Sequence, residues 1–133
     1  MSLHSTTWSP TRRYSAVAVF SQDLERVVLI HKLRPAWQAG KANFPGGKVD
    51  RGDWKPSCWN EKQDRPKLYV EDDERIAAHR RCAARELQEE TGLVVDASSL
   101  TLFCTLRFRS HEGDDAECQF FCCRGDVEAA RTI

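Results

Sequence analysis

The sequence predicts an α/β fold in which a mixed sheet is layered against one long helix. Three observations carry this. Helix formers run from residue 72 to residue 91, opened by the acids Glu71, Asp72, Asp73 and Glu74 and stopped by Gly92. Period-two apolar patterns lie on both sides of that run. Turn residues, not further helical patterns, separate the period-two segments. Strands that flank a helix pack it against their sheet, which gives an α/β or α+β layer arrangement.

In chain order, residues 13–20 alternate and are rich in small and β-branched side chains, and residues 26–32 follow after the turn-like Ser21-Gln22-Asp23. The two read as a strand pair. Residues 34–47 hold Pro35, Pro45, Gly40, Gly46 and Gly47, so they read as loop up to a short strand at 47–50, with glycines that let backbone approach a ligand closely. The polar stretch 51–69, with Trp54, Pro56, Trp59 and Pro66, fits neither a helix nor a strand template. In the helix, Ile76, Arg80, Ala83 and Leu87 fall on one stripe that can lie on a sheet. Residues 93–95, 100–108 and 116–124 return to period two, and the turn at 111–115 makes the last two an antiparallel hairpin. Residues 126–133 read as a helix that begins and stops, with a final strand and helix expected beyond them.

The chain has 133 residues and 15.2 kDa, of which 41% are apolar, the size of one domain. Lys and Arg number 20 against 20 Asp and Glu, so the counterion release behind general nucleic-acid binding is not on offer and an anionic partner must be met locally. The longest apolar runs fall far short of the roughly 20 residues of a spanning helix, and the first ten residues have no secretory pattern. A cytoplasmic location is expected. The six cysteines form no Cys-x-x-Cys pair and show no zinc spacing with the four histidines, so reduced, mostly buried thiols are expected. No P-loop and no Gly-x-Ser-x-Gly elbow occurs.

The chemistry concentrates at residues 85–90, Arg-Glu-Leu-Gln-Glu-Glu. Glu86, Glu89 and Glu90 stand at i, i+3 and i+4, within an arc of about 100° on one side of the helix. Such a cluster repels itself and sits near the negative end of the helix dipole, and a hard divalent cation relieves it. A solvated acidic face neutralised by Arg81 and Arg85 is the other reading of these residues alone.

Residues 85–93, Arg-Glu-Leu-Gln-Glu-Glu-Thr-Gly-Leu, with Phe44-Pro45-Gly46-Gly47 upstream, resemble the signature of the Nudix hydrolases: Gly, five residues, Glu, seven residues, then Arg-Glu-apolar-x-Glu-Glu-x-Gly-apolar. The resemblance implies a Nudix-type α/β/α sandwich, a single domain over residues 1–133. It carries Glu86, Glu89 and Glu90 onto the metal-binding glutamates. It carries Arg85 onto the arginine that steadies a signature glutamate, and Gly47 onto the glycine whose carbonyl helps hold metal. Five residues after Gly47 the signature glutamate is Asp53. From there 31 residues, 54–84, reach Arg85 where the family has seven, so 24 residues split the motif, with the insertion proper at about 54–70. Loop lengthening costs only about 0.6 kcal/mol per doubling, so an excursion there is tolerable. Trp54 and Trp59 lead us to expect that it packs on something. A further acid is expected from Glu117 first and Glu112 second.

The implied activity is Mg²⁺-dependent (or Mn²⁺-dependent) hydrolysis of a nucleoside diphosphate linked to another group. Glu89, Glu90 and Arg85 are the expected catalytic residues, and either glutamate is eligible to act on the water. Residues 32–41 look like the corresponding loop of MutT-like nucleoside triphosphate pyrophosphohydrolases, which makes that activity the first expectation. A coenzyme A or nucleotide-sugar diphosphatase and a non-catalytic nucleotide-binding or partner-binding module are the alternatives. Arg34, Trp37, Phe44 and Gly46 are the expected substrate contacts. The partner is then a small nucleotide, with no nucleic-acid polymer and no membrane, and a homodimer stays open.

Overall fold

Each strand of the sheet is placed by what its neighbours leave available. The computed structural model describes residues 10–31 and 42–131. Strand β1 (Arg12–Phe20) is flanked by β4 (Gly46–Lys48), antiparallel, and by β8 (Asp115–Arg124), parallel; β7 (Thr101–Arg109) closes the far edge antiparallel to β8. The mixed four-stranded sheet thus reads β4-β1-β8-β7. The β7–β8 hairpin turns at Gly113, whose φ of 91° suits a residue without Cβ.

Helix α1 (Asp72–Thr91) lies on one face of this sheet. Three acids occupy its first turn and Gly92 ends it in the left-handed conformation at φ 80°, its N–H donating to the Gln88 carbonyl at 2.9 Å. From the predicted stripe, Ala83 and Leu87 are fully buried and meet Val17, Val19, Leu93, Leu100 and Phe121, while Ile76 packs at the margin. Among the described residues the opposite face carries no helix, and Phe103, Leu106 and Phe108 are exposed.

Three expected elements differ. Of the expected strand 26–32, residues 26–31 form no ladder with β1: Val27 makes one isolated bridge to Phe20, and β2 (Ile30–His31) pairs instead with β3 (Ala42–Asn43). β8 takes one edge of β1 and β4 takes Tyr14–Ala16 of the other, so residues 26–28 meet only the end of β1, where Val28 N–H donates to the Val19 carbonyl at 3.0 Å and Ser21 N–H to the Arg26 carbonyl at 2.9 Å. Residues 93–95 join no strand ladder, and Leu93 is drawn into the core with Leu87 and Leu100. The expected helix start at 126 is a single 3-10 turn, Val127–Ala129, capped by the Asp126 carboxylate.

The insertion is built, as its tryptophans suggested. It holds a 3-10 turn (Pro56–Cys58) and a two-residue ladder between β5 (Trp59–Asn60) and β6 (Arg65–Pro66). Trp54, Cys58 and the helix residue Ala78 form a second small core, joined by Val49, Trp59 and Val70. Apolar area moved out of water, worth about 25 cal/mol per Å², is what fastens the excursion to α1. Cys58, Cys82 and Cys118 are buried and free, whereas Cys104 is exposed because it stands on the edge strand β7.

Candidate active site

The last two turns of α1 run beside β4, and the two glycines of β4 set how closely. Gly46 donates its N–H to Glu90 Oε1 at 3.0 Å. At Gly47 a Cβ would lie 2.5 Å from the Glu86 carboxyl carbon, so the carboxylate rests on bare backbone that any side chain would displace. Glu86 and Glu90 thus touch β4 at Gly47 and Gly46, while Glu89 reaches Arg85 on the same side of the helix.

Arg85 organises this corner. Its Nε and Nη2 donate to Asp53 Oδ1 and Oδ2 at 3.2 and 3.0 Å, a bidentate pair, while Nη1 donates to Glu86 Oε1 at 2.9 Å and reaches Glu89 at 3.5 Å. Nη2 also donates to the Lys48 carbonyl at 3.2 Å. Asp53, 4% exposed, is held from behind: its Oδ2 accepts the Asp50 N–H at 2.8 Å and its carbonyl accepts Arg81 Nε at 2.6 Å. The hydrogen bond to Asp53 is the main reason the Arg85 pKa is raised. Asp53 thus reaches Arg85 across the 31 residues that separate them in the chain.

Burial pushes the Glu86 carboxyl above the usual range, Arg85 pulls it back, and the charges of Glu89 and Glu90 push it up again. With Glu86 and Glu89 both bound to Arg85, no three acid, histidine or cysteine side chains among the described residues converge on one point. The donor set is nonetheless carboxylate and carbonyl oxygen throughout, mutually repelling and backed by a cradle at Gly47, which fits a hard cation such as Mg²⁺.

A cavity of about 540 Å³ opens beyond β4 on the sheet face away from α1. Tyr14, Ala16, Leu106, Phe108 and Phe120 line it together with Phe44, while Lys48, His111 and Glu112 stand at its polar side. Tyr14 and Phe108 stack there with ring centroids 6.5 Å apart. Sequence reasoning named Phe44 and Glu112 but not the strand residues, although β1 parity alone puts Tyr14 and Ala16 on one face.

Glu117, the first-choice further acid, lies elsewhere. Its Oε2 accepts Arg13 Nη1 at 2.8 Å and Arg75 Nη1 at 3.2 Å, and its Oε1 accepts Arg107 Nε at 3.3 Å. Arg75 and His79 belong to the first half of α1, roughly 21 and 15 Å of helix rise from Glu89. Parity puts Glu117 on the helix face of the sheet, and its place at the start of β8 sets it against Arg13, Arg75 and Arg107 and apart from the Glu86–Glu90 cluster. Arg34 and Trp37 lie outside the described residues.

No protein-family profile matches the chain, and no curated protein matches it. Solved structures do. A MutT Nudix hydrolase from Burkholderia pseudomallei is similar with TM-score 0.57 and 22% identity, over 91% of this chain and 72% of that one. The Nudix domain of Shewanella oneidensis NrtR, solved with ADP ribose, is similar with TM-score 0.60 and 17% identity over 94% and 67%. An Ap4A hydrolase from Caenorhabditis elegans, solved as a binary complex, is similar with TM-score 0.54 and 15% identity over 92% and 73%.

Proposed function

We propose that this chain, which has the fold of the Nudix hydrolases, is a Mg²⁺-dependent (or Mn²⁺-dependent) nucleotide diphosphatase, with nucleoside triphosphate pyrophosphohydrolysis as its first activity. The observation that carries this reading is the contact of Glu86 with Gly47 and of Glu90 with Gly46, beside an Arg85 that is clamped by Asp53 and reaches Glu86 and Glu89.

In this reading Glu86, Glu89, Glu90 and the Gly47 carbonyl hold the cation. What a divalent ion supplies at such donors is charge neutralisation on pyrophosphate oxygens and a lowered pKa for the attacking water. Arg85 ties Glu86 to Glu89 and spends its other donors on Asp53 and the Lys48 carbonyl, so it orients acids instead of meeting substrate. Glu90 has one oxygen committed to Gly46. Glu89, 57% exposed, retains access to solvent and is the carboxylate that orients and deprotonates the water. Glu112, beside the cavity that also touches Gly46 and Gly47, is the further acid. A small nucleotide partner and a cytoplasmic location go with this activity, and no described helix is long and apolar enough to cross a membrane.

Product analysis tests it. The protein is incubated with Mg²⁺ and a panel of (d)NTPs, coenzyme A, ADP-ribose and dinucleoside polyphosphates, beside a Glu89→Gln, Glu90→Gln variant. Pyrophosphate plus a nucleoside monophosphate from (d)NTPs, absent with the variant, is the expected result. 3',5'-ADP plus phosphopantetheine moves the substrate to coenzyme A. No cleavage of any substrate by folded protein with either metal overturns the enzyme reading in favour of a binding module.

A further inference from the structure

The turn that carries Asp53 is a unit of its own: Asp53 N–H donates to the Asp50 carbonyl at 3.0 Å, and Asp50 N–H donates to Asp53 Oδ2 at 2.8 Å. Its incoming end is fastened to the sheet, where Val49 N–H donates to the Arg13 carbonyl at 2.9 Å. Its outgoing end opens into the 31 residues that precede Arg85, and a loop of that length closes at little cost but imposes no orientation. That end is met from α1. Arg81 Nε donates to the Asp53 carbonyl at 2.6 Å, and among the described residues no backbone N–H reaches that oxygen. Ala78, Arg81 and Arg85 follow one another at three and four residues along one stripe of the helix. In that order they take Trp54, the Asp53 carbonyl and the Asp53 carboxylate. Arg81 is kept there at a cost, because its Nη2 is buried with no hydrogen-bond partner among the described residues.

We propose that Arg81 is a positioning residue: by holding the Asp53 carbonyl where the 31-residue excursion departs, it fixes the 50–53 turn against α1, keeps Asp53 bidentate on Arg85, and through Arg85 keeps Glu86 and Glu89 in place. The bond is made by a charged donor to a main-chain acceptor, so it fixes the peptide between Asp53 and Trp54 and not a side chain that can turn away. Asp50 N–H sets the carboxylate within its own turn, but that bond travels with the turn; Arg81 ties the turn to the helix that carries the acids. Arg85 then has a fixed carboxylate behind it while its Nη1 reaches Glu86 at 2.9 Å and Glu89 at 3.5 Å. Groups behind a ligand orient it and hold its affinity for metal. The metal half of this inference rests on the reading under Proposed function; the hold of Arg81 on Asp53 and Arg85 does not.

Two measurements on the full chain test it, with two variants of Arg81. Arg81→Met removes the donor, whereas Arg81→Gln puts an amide nitrogen the same number of bonds from Cα as Nε and restores it. The first measurement is hydrogen exchange of the Arg85 Nε–H in ¹⁵N NMR, the signal being identified by its loss in Arg85→Lys. Arg81→Met is expected to speed this exchange roughly tenfold while the core amides of Val17 and Val19 keep their protection, and Arg81→Gln to recover most of the wild-type rate. Wild-type exchange in Arg81→Met, an equal acceleration of the core amides, or no recovery in Arg81→Gln overturns the positioning role. The second is Mn²⁺ titration followed by electron paramagnetic resonance. Arg81→Met is expected to weaken binding roughly tenfold, and to weaken it no further when Asp53→Ala is already present. Equal affinity of Arg81→Met and wild type, or a full further loss in the Asp53→Ala background, overturns the route through Asp53. A wild-type chain that binds no Mn²⁺ overturns the functional reading, and the Arg85 signal then decides the role of Arg81 alone.

Discussion

A methyl group added at Gly46 would run into the Ser15 carbonyl, which is backbone, whereas one added at Gly47 would meet the end of the Glu86 side chain at 2.5 Å. Backbone in a central strand cannot step aside, but a glutamate can turn. Gly46→Ala is therefore expected to lower the urea midpoint, near the upper end of the about 1–3 kcal/mol that overpacking costs. Gly47→Ala is expected to fold with nearly unchanged stability and to lose diphosphatase activity, because Glu86 has been displaced. Glu117 gives a contrasting case. Burial raises its pKa, but Arg13, Arg75 and His79 outweigh that and hold it below the usual carboxylate range. Glu117→Gln leaves three guanidiniums facing a neutral group and is expected to cost about 3–5 kcal/mol in denaturant melts, with no direct effect on the acidic cluster.

At the level of elements, the insertion and α1 act together. Trp54, directly after Asp53, is 7% exposed and anchors the second core, and Arg13 lies over its ring at 5.7 Å. The same few residues thus carry both the packing of the insertion and the carboxylate that clamps Arg85. Trp54→Ala is expected to cost about 3–5 kcal/mol by calorimetry or urea melts, and to reduce activity through the loosened Asp53. Leu68 and Tyr69, at 79% and 76% exposure, are on the insertion but touch neither core; replacing either by serine is expected to change stability by less than about 0.5 kcal/mol.

For the molecule as a whole, acid acts through the polar layer between helix and sheet. Burial, helped by the charges of Arg13 and Arg75 and opposed by Glu117, lowers His79 from 6.5 to about 4. The unfolded chain then takes up a proton near pH 6.5 that the folded chain refuses, so stability is full above that pH and falls as the pH drops toward 4. The loss is on the order of 3 kcal/mol. Glu117, with its folded pKa depressed, contributes stability that is present above the ordinary carboxylate range and is lost only as the pH falls through its folded value. Two stages of acid destabilisation are expected in thermal melts between pH 7 and 3, and His79→Gln is expected to flatten the first; an unchanged slope between pH 6.5 and 4 would refute this assignment.

The sequence by itself determined the helix to the residue, the arc of Glu86, Glu89 and Glu90, and the pairing of β7 with β8. These are local: helical period, a stopping glycine and a turn between alternating runs specify them without reference to the rest of the chain. It also carried the expectation that the tryptophans pack, which Trp54 and Trp59 do. Only the tertiary structure decided that Asp53 reaches Arg85 across residues 54–84, that Glu117 faces Arg13, Arg75 and Arg107 instead of the acids, and that residues 26–28 meet only the end of β1 while Ile30 and His31 pair with β3. Each depends on which strands share an edge and on where along a helix a side chain from another strand arrives. Those quantities come from long-range packing, which pattern along the chain does not contain.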